Sequence, residues 1–141
     1  MHEAFARVNF DRDVAALTAA SAERQGLIVH ERSFPVLDAT ITHRRPLRLR
    51  MEAQGWDEVP PSVMLLKPDG TVWSDPLPGD VFNGSAHPST GRPFICMRGV
   101  REYHTHPSHL RERWDDYRRQ DGMGLVGILM QLSHAWRRLA K

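Results

Sequence analysis

The sequence predicts an α+β domain whose helices are segregated from an antiparallel sheet. Three observations support this class. Helical periodicity occurs near the start of the chain, short alternating segments follow between residues 27 and 66, and an apolar stripe at helical spacing begins after residue 123. A chain of 141 residues can bury a real core, and we expect a single domain over residues 1–141.

The first helix is predicted over residues 9–25. Asn9 is a suitable N-cap, and Gly26 is suited to end the helix in the left-handed conformation. Apolar residues at i, i+4 and i+7 define one face of this helix: Phe10, Val14 and Leu17.

Four short segments with strand character follow the predicted helix, at residues 27–30, 36–43, 46–51 and 62–66. Their alternating pattern and close spacing predict an antiparallel meander. The turn signal at residues 68–70 begins a short hairpin that we expect to end at Trp73.

Residues 74–95 are rich in Pro, Gly, Asn and Asp, which oppose regular structure. A loop of this length inside a compact domain is typical of a functional segment. Four apolar residues indicate that it packs against the rest of the domain: Val81, Phe82, Phe94 and Ile95.

Two helices are predicted after Pro107. Ser108 would cap the first, whose apolar positions are Leu110, Trp114 and Tyr117. The second runs from about 123 to 140. Its stripe is more typical of a core-facing helix than of a partner site, and it consists of Leu125, Leu129, Leu132, Trp136 and Leu139.

Composition argues against several function classes. The net charge of +2 is too small to indicate nucleic-acid binding, and a single Cys rules out a disulfide framework or a Cys-rich zinc site. No apolar run approaches the length of a membrane span, and the N-terminal residues lack an apolar signal core. We therefore expect a cytoplasmic protein with no membrane or nucleic-acid partner. Of the 19 Lys and Arg residues, only Lys67 and Lys141 are Lys. Two explanations are open: a coding bias, or avoidance of amines near a reactive acyl group.

The candidate site is the segment 83–109, which holds the only Cys, Cys96. A Cys between Ile95 and Met97 could be a buried apolar side chain. Its position after an irregular loop, and the imidazoles nearby, favour a reactive thiol. The loop offers hydrogen-bond donors for an oxyanion, including Asn83, Ser85, Ser89 and Thr90.

Three chemistries are compatible with this segment. One is a zinc site formed by Cys96, His104, His106 and His109. Another is a metallo-isopeptidase, since residues 104–107, His-Thr-His-Pro, resemble the metal-binding motif of JAB/JAMM peptidases. Trp114 stands where that motif needs a Ser, however, and the Asp residues that follow are out of step. The last is acyl transfer through Cys96, because a thiolate accepts an acyl group and is also a good leaving group without any cofactor.

The chain resembles the ubiquitin-conjugating enzymes of the UBC fold in the order of its elements and in its motifs. Residues 59–63, Val-Pro-Pro-Ser-Val, resemble the turn that leads into the family's fourth strand. His87-Pro88-Ser89 is similar to the family's His-Pro-Asn motif, and Phe94-Ile95-Cys96-Met97 is similar to the segment that carries its catalytic Cys. Pro107 lies near the position of a Trp-x-Pro segment. The chain resembles the divergent bacterial members of the family that are encoded with an activating enzyme, a ubiquitin-like protein and a JAB peptidase.

The resemblance implies that Cys96 accepts a ubiquitin-like protein from an activating enzyme and transfers it to a target protein, with no cofactor. His87 would fix the loop, and His104 and His106 would orient or deprotonate the nucleophile. Because Ser89 replaces the motif's Asn, support of the oxyanion would pass to Asn83 or to backbone amides. The first helix, with the neighbouring basic residues Arg7, Arg12 and Arg24, would meet the activating enzyme. Some UBC-fold chains are non-catalytic adaptors, but those usually lack the Cys, so Cys96 favours an enzyme.

Overall fold

The computed structural model describes residues 2–141, and its first element differs from the prediction. Helix α1 (Glu3–Val14) begins six residues before Asn9, and the His2 side chain caps it by accepting a hydrogen bond from the Ala4 amide. Asn9 lies inside α1 and accepts a hydrogen bond from Arg12 instead of acting as N-cap. The predicted N-cap is therefore wrong.

A second helix, α2 (Ala19–Arg24), replaces the second half of the predicted one. Thr18 and Ser21 form a reciprocal capping box, in which each side chain accepts a hydrogen bond from the other's backbone amide. Such a box begins a new helix, so one continuous helix over residues 9–25 is wrong. Gly26 has a φ of 70° and follows α2, as predicted.

One sheet contains four antiparallel strands in chain order: β1 (Leu27–Ser33), β2 (Val36–Ile41), β3 (Leu47–Glu52) and β4 (Ser62–Leu66). This confirms the predicted meander. Strand β1 is longer than predicted because a bulge between Val29 and Glu31 interrupts its alternation. The predicted hairpin also forms, since the Trp73 amide donates to the backbone oxygen of Leu65.

The strand register separates an apolar face from a charged face. Ala39, Leu49 and Leu65 lie opposite one another and are all buried. On the other face, the Arg48 guanidinium donates two hydrogen bonds of 2.9 Å to the buried Asp38 carboxylate. The apolar face therefore builds the core, and the second face carries paired charges.

The core is closed by the C-terminal helix α4 (Leu125–Leu139), which confirms the predicted second helix. Its Trp136 side chain is fully buried. The Trp136 ring meets the rings of Trp73 and Phe82 edge to face, with centroids 5.4 and 5.1 Å apart. The helix thereby holds the β4 hairpin and the long loop to one core.

Inside the long loop, β5 (Phe82–Asn83) pairs with β6 (Phe94–Ile95). The side chains of Phe82, Phe94 and Ile95 are buried, which confirms that the loop packs against the domain. Cys96 follows β6 directly.

The helix predicted after Pro107 is wrong. The chain instead forms α3 (Arg101–Thr105), followed by single turns of 3₁₀ helix at Pro107–His109 and Trp114–Asp116. Leu110 is 61% exposed, so the expected apolar face does not exist. Trp114 is buried because its indole donates to the backbone oxygen of Asp57, and this long-range contact outweighs the local helical spacing.

Candidate functional site

Cys96 directly follows β6 and is half-buried. Its backbone amide donates a 2.7 Å hydrogen bond to the oxygen of Val81, so the short β5–β6 hairpin fixes the backbone at this point. The thiol is free and lies between the long loop and the segment that begins with α3. The β5–β6 hairpin therefore fixes the position of Cys96, and the segment that begins with α3 supplies side chains around the thiol.

The side chain that contacts the thiol is His109. Its Nε2 lies 3.5 Å from Cys96 Sγ, and its Nδ1 lies 2.9 Å from Oε2 of Glu112. An ionised carboxylate only accepts hydrogen bonds, so the Nδ1–H donates to Glu112. In the neutral ring this leaves the Nε2 lone pair facing the sulfur.

The Glu112 carboxylate accepts hydrogen bonds from three side chains, those of Tyr103, Arg98 and His109. Tyr103 donates its hydroxyl proton to Oε2 at 2.7 Å, and Arg98 donates to Oε1 from Nε at 3.0 Å and from Nη2 at 2.8 Å. The hydrogen bond from Tyr103, with those from Arg98 and His109, lowers the pKa of Glu112 to about 2. Glu112 is thus a carboxylate at every physiological pH.

Tyr103 also fixes the plane of the His109 ring. The two rings stack with centroids 3.9 Å apart and planes 14° apart. Tyr103 is supplied by α3 and is 8% exposed, so its own position is constrained by packing. His109 is therefore oriented by a stacking contact on one face and by a carboxylate at Nδ1.

Burial raises the pKa of the Cys96 thiol, and the negative charge of Glu112 raises it further. At neutral pH the sulfur is held as a thiol, and the atom positioned to accept its proton is His109 Nε2.

His104 has a different place from the one expected. Its Nε2 accepts a 3.0 Å hydrogen bond from the Gly99 amide, and its Nδ1–H donates at 2.7 Å to the backbone oxygen of Glu112. Burial lowers the pKa of His104, which favours the neutral ring that these two bonds require. With both nitrogens engaged, a role in deprotonating a nucleophile does not fit this geometry. His104 instead ties the chain around Glu112 to the segment after Cys96.

His106 stacks on Phe94, with ring centroids 5.4 Å apart. Its Nδ1 accepts hydrogen bonds from the Ser108 amide and hydroxyl. This bond makes His106, and not Ser108, the N-cap of the turn at Pro107–His109, which corrects the predicted cap. Its ring centroid lies 6.2 Å from that of His109. His106 therefore neighbours the site without bonding to the sulfur.

His87 is 1% exposed and binds the backbone at both nitrogens. Its Nε2–H donates to the Glu102 oxygen at 2.9 Å, and its Nδ1 accepts from the Ser89 amide at 3.0 Å. The Asn83 side chain accepts from the Ser85 amide. Of the predicted oxyanion and loop residues, His87, Ser89 and Asn83 shape the loop, and none of them is hydrogen-bonded to the Cys96 sulfur.

The four side chains considered for zinc do not converge. Within residues 2–141, no group of three or more His, Cys, Asp and Glu side chains is arranged to hold a metal ion. Cys96 and His109 are in contact, but His104 uses both nitrogens for backbone bonds. Because both His104 nitrogens are hydrogen-bonded to the backbone, the first His of the His-Thr-His-Pro segment has no free nitrogen to bind a metal.

Sequence reasoning missed Glu112, Tyr103 and Arg98, and considered His109 only as a metal ligand. One signal was available, because Glu112 lies three positions after His109 and both follow the only Cys. The two other partners carried no comparable signal, since their contacts depend on the turn after α3.

Part of the chain matches the model of a known family. The model of the Y4jH-like family, described as the Y4jH family, matches residues 80–137. Over this stretch the chain is similar to the Y4jH family. The matched residues include the thiol, its histidine and the carboxylate, together with most of α4, but they are less than half of the chain. No curated protein matches the sequence. Among the described residues, no helix has the length and apolar character needed to cross a membrane.

Proposed function

We propose that the protein is a conjugating enzyme of the ubiquitin type, which carries a ubiquitin-like protein as a thioester on Cys96. The observation that carries the proposal is the placement of the sole thiol. Cys96 is partly exposed directly after a long ordered loop, at the point where a resemblance to UBC enzymes expects the acceptor sulfur.

The order of elements supports the same proposal. Two N-terminal helices, a four-stranded antiparallel meander, a long loop, the Cys, the short helix α3 and the C-terminal helix follow one another. The resemblance to UBC enzymes leads us to expect the order of helix, meander, loop, Cys and helix within this series. The loop motif His87-Pro88-Ser89 is anchored to the Glu102 backbone through the buried His87 ring. This anchor keeps the loop in one conformation beside the chain that bears Cys96.

A partner surface is available on α1. Phe5 and Val8 are 67% and 61% exposed, and Arg7 and Arg12 are exposed beside them. Glu3 and Asp11 are exposed on the same helix, so the charges are mixed, and it is the exposed apolar side chains that favour a protein partner here. We assign this surface to the activating enzyme, as the resemblance implies.

The test is formation of a thioester. The protein is incubated with its activating enzyme, ATP and the ubiquitin-like protein, and adducts are separated with and without a reducing thiol. We expect an adduct that the reductant removes, because thioesters exchange with free thiols and amides do not. Cys96→Ala abolishes it, and Cys96→Ser gives a slower oxyester that resists reductant but yields to hydroxide.

Ser89→Ala serves as the graded comparison. A single oxyanion donor contributes about 3 kcal/mol at most, and backbone amides remain, so we expect a slower reaction and not a lost one. A reductant-sensitive adduct that persists in Cys96→Ala would contradict the proposal, since the chain has no other thiol.

A further inference from the structure

We propose that His109 is the general base that removes the proton from Cys96, and that Glu112 is its positioning residue. This inference rests on the proposed function, because it gives the thiol of that function its proton acceptor. Its basis is one continuous chain of contacts: Cys96 Sγ to His109 Nε2 at 3.5 Å, and His109 Nδ1 to Glu112 Oε2 at 2.9 Å.

The hydrogen bond to Glu112 decides which nitrogen of His109 can accept a proton. Glu112 accepts from Nδ1–H, which leaves Nε2 unprotonated toward the sulfur in the neutral ring. When Nε2 takes the thiol proton, the imidazolium is stabilised by the carboxylate 2.9 Å away. The same division of roles is found in nucleophile–histidine–carboxylate triads on unrelated folds.

The surroundings of the thiol explain why a base is needed. Burial and the nearby Glu112 carboxylate both disfavour a thiolate at Cys96, and the Arg98 guanidinium is engaged by Glu112. The groups that face His109 are the thiol, the carboxylate, the stacked Tyr103 ring and the more distant His106 and His104 rings. Among these, only the imidazole nitrogen at 3.5 Å can take the sulfur's proton directly.

In the charging step, the Cys96 sulfur attacks the thioester carbonyl carbon on the activating enzyme while its proton moves to His109 Nε2. A tetrahedral oxyanion forms and collapses, the bond to the activating enzyme's sulfur breaks, and that sulfur leaves as a thiolate. The imidazolium then gives the proton to that thiolate. The products are the free thiol of the activating enzyme and the new thioester on Cys96. No oxidant, metal or cofactor enters this balance.

In the transfer step, the neutral His109 ring accepts the proton that the incoming nucleophile loses as it attacks the Cys96 thioester. The carbon–sulfur bond breaks, and the departing Cys96 thiolate recovers the proton from the imidazolium. One base thus serves both steps, and it stays beside the sulfur because Tyr103 and Glu112 fix its ring.

The experiment measures the rate at which iodoacetamide alkylates Cys96 in the isolated protein from pH 5.5 to 10. It requires no partner protein, so its result is independent of thioester formation. The variants are His109→Gln, which can hydrogen-bond but cannot take a proton, and Glu112→Gln. The matched controls are His134→Asn, on the exposed side of α4, and Glu23→Gln, on the exposed side of α2.

In the wild-type protein we expect two inflections, a lower one that requires His109 as proton acceptor and a second one where the remaining thiol ionises. His109→Gln removes the lower inflection and slows alkylation at pH 7.5 by about 10-fold or more. Glu112→Gln slows alkylation at pH 7.5 by a smaller factor, because the imidazolium that forms loses its neighbouring carboxylate. The two controls keep the wild-type profile.

A wild-type profile with a single inflection above pH 9 would overturn the inference without any variant. So would a His109→Gln profile that matches the wild type in a folded protein. If thioester formation fails while the lower inflection is present, the base is retained and the conjugating function is rejected. If thioester formation succeeds and the lower inflection is absent, the conjugating function is retained and the general base is rejected.

Discussion

The indole Nε1–H of Trp136 donates a 2.7 Å hydrogen bond to the backbone oxygen of Arg45. This bond joins the C-terminal helix to the turn between β2 and β3. The Arg45 guanidinium lies 5.7 Å from the Trp136 ring centroid and 5.9 Å from that of Trp73, which adds cation–π contacts to the same junction. Helix α4 is thus attached to the sheet by a directed bond as well as by its apolar stripe.

Leu129→Asp tests whether that stripe is core. Leu129 is 1% exposed, so the change buries a carboxylate without a designed partner and should lower the free energy of unfolding by roughly 3 kcal/mol or more. Urea denaturation followed by circular dichroism measures the loss. His134→Asp, at an exposed position of the same helix, should change stability by only a few tenths of a kcal/mol. Equal midpoints for the two variants would show that the stripe does not face the core.

Metal content distinguishes acyl transfer from a zinc site. A thiol that accepts acyl groups has to be free of coordination, so untagged protein should contain far less than one zinc per chain by elemental analysis. The sample is prepared once with zinc in the medium and once without. Stoichiometric zinc that disappears in Cys96→Ser would favour the Cys–His metal site over the conjugating function.

Acid stability should depend on Glu112. Its pKa is about 2 in the folded protein against 4.5 for the ordinary group, so the unfolded chain binds a proton in a range where the folded chain does not. The stabilisation is complete above about pH 5 and is lost as the pH falls toward 2. Chemical denaturation at pH 7, 4 and 3 measures it.

Glu112→Gln removes this titration. We expect the variant to be less stable than the wild type at pH 7 and the difference to shrink as the pH falls from 5 to 3. Glu23→Gln, at an exposed position, keeps the wild-type pH slope. A difference between Glu112→Gln and the wild type that stays constant across this range would contradict the assigned pKa.

The spacing of apolar residues predicted the helix and strands that have a regular apolar face. It missed the elements whose ends depend on capping side chains or on contacts with distant parts of the chain. The strands and α4 were predictable because their apolar spacing repeats over many residues. The division of the first helix was not, although Thr18 and Ser21 form its cap, because the apolar spacing continues across the break. The segment after Pro107 has helical spacing, but Trp114 is bonded to the distant backbone oxygen of Asp57, and the Glu112 backbone oxygen is bonded to the His104 side chain.

The sequence by itself determined the α+β class, the meander, the packed loop and the single thiol at its end. Each of these follows from residue type and short-range spacing. Only the tertiary structure decided which histidine meets the thiol. Four histidines lie within 13 residues of Cys96 in the chain, and the turns after α3 bring His109 to the sulfur while they commit His104 to the backbone. A contact of this kind depends on the path of the chain in space, which spacing along the sequence does not encode.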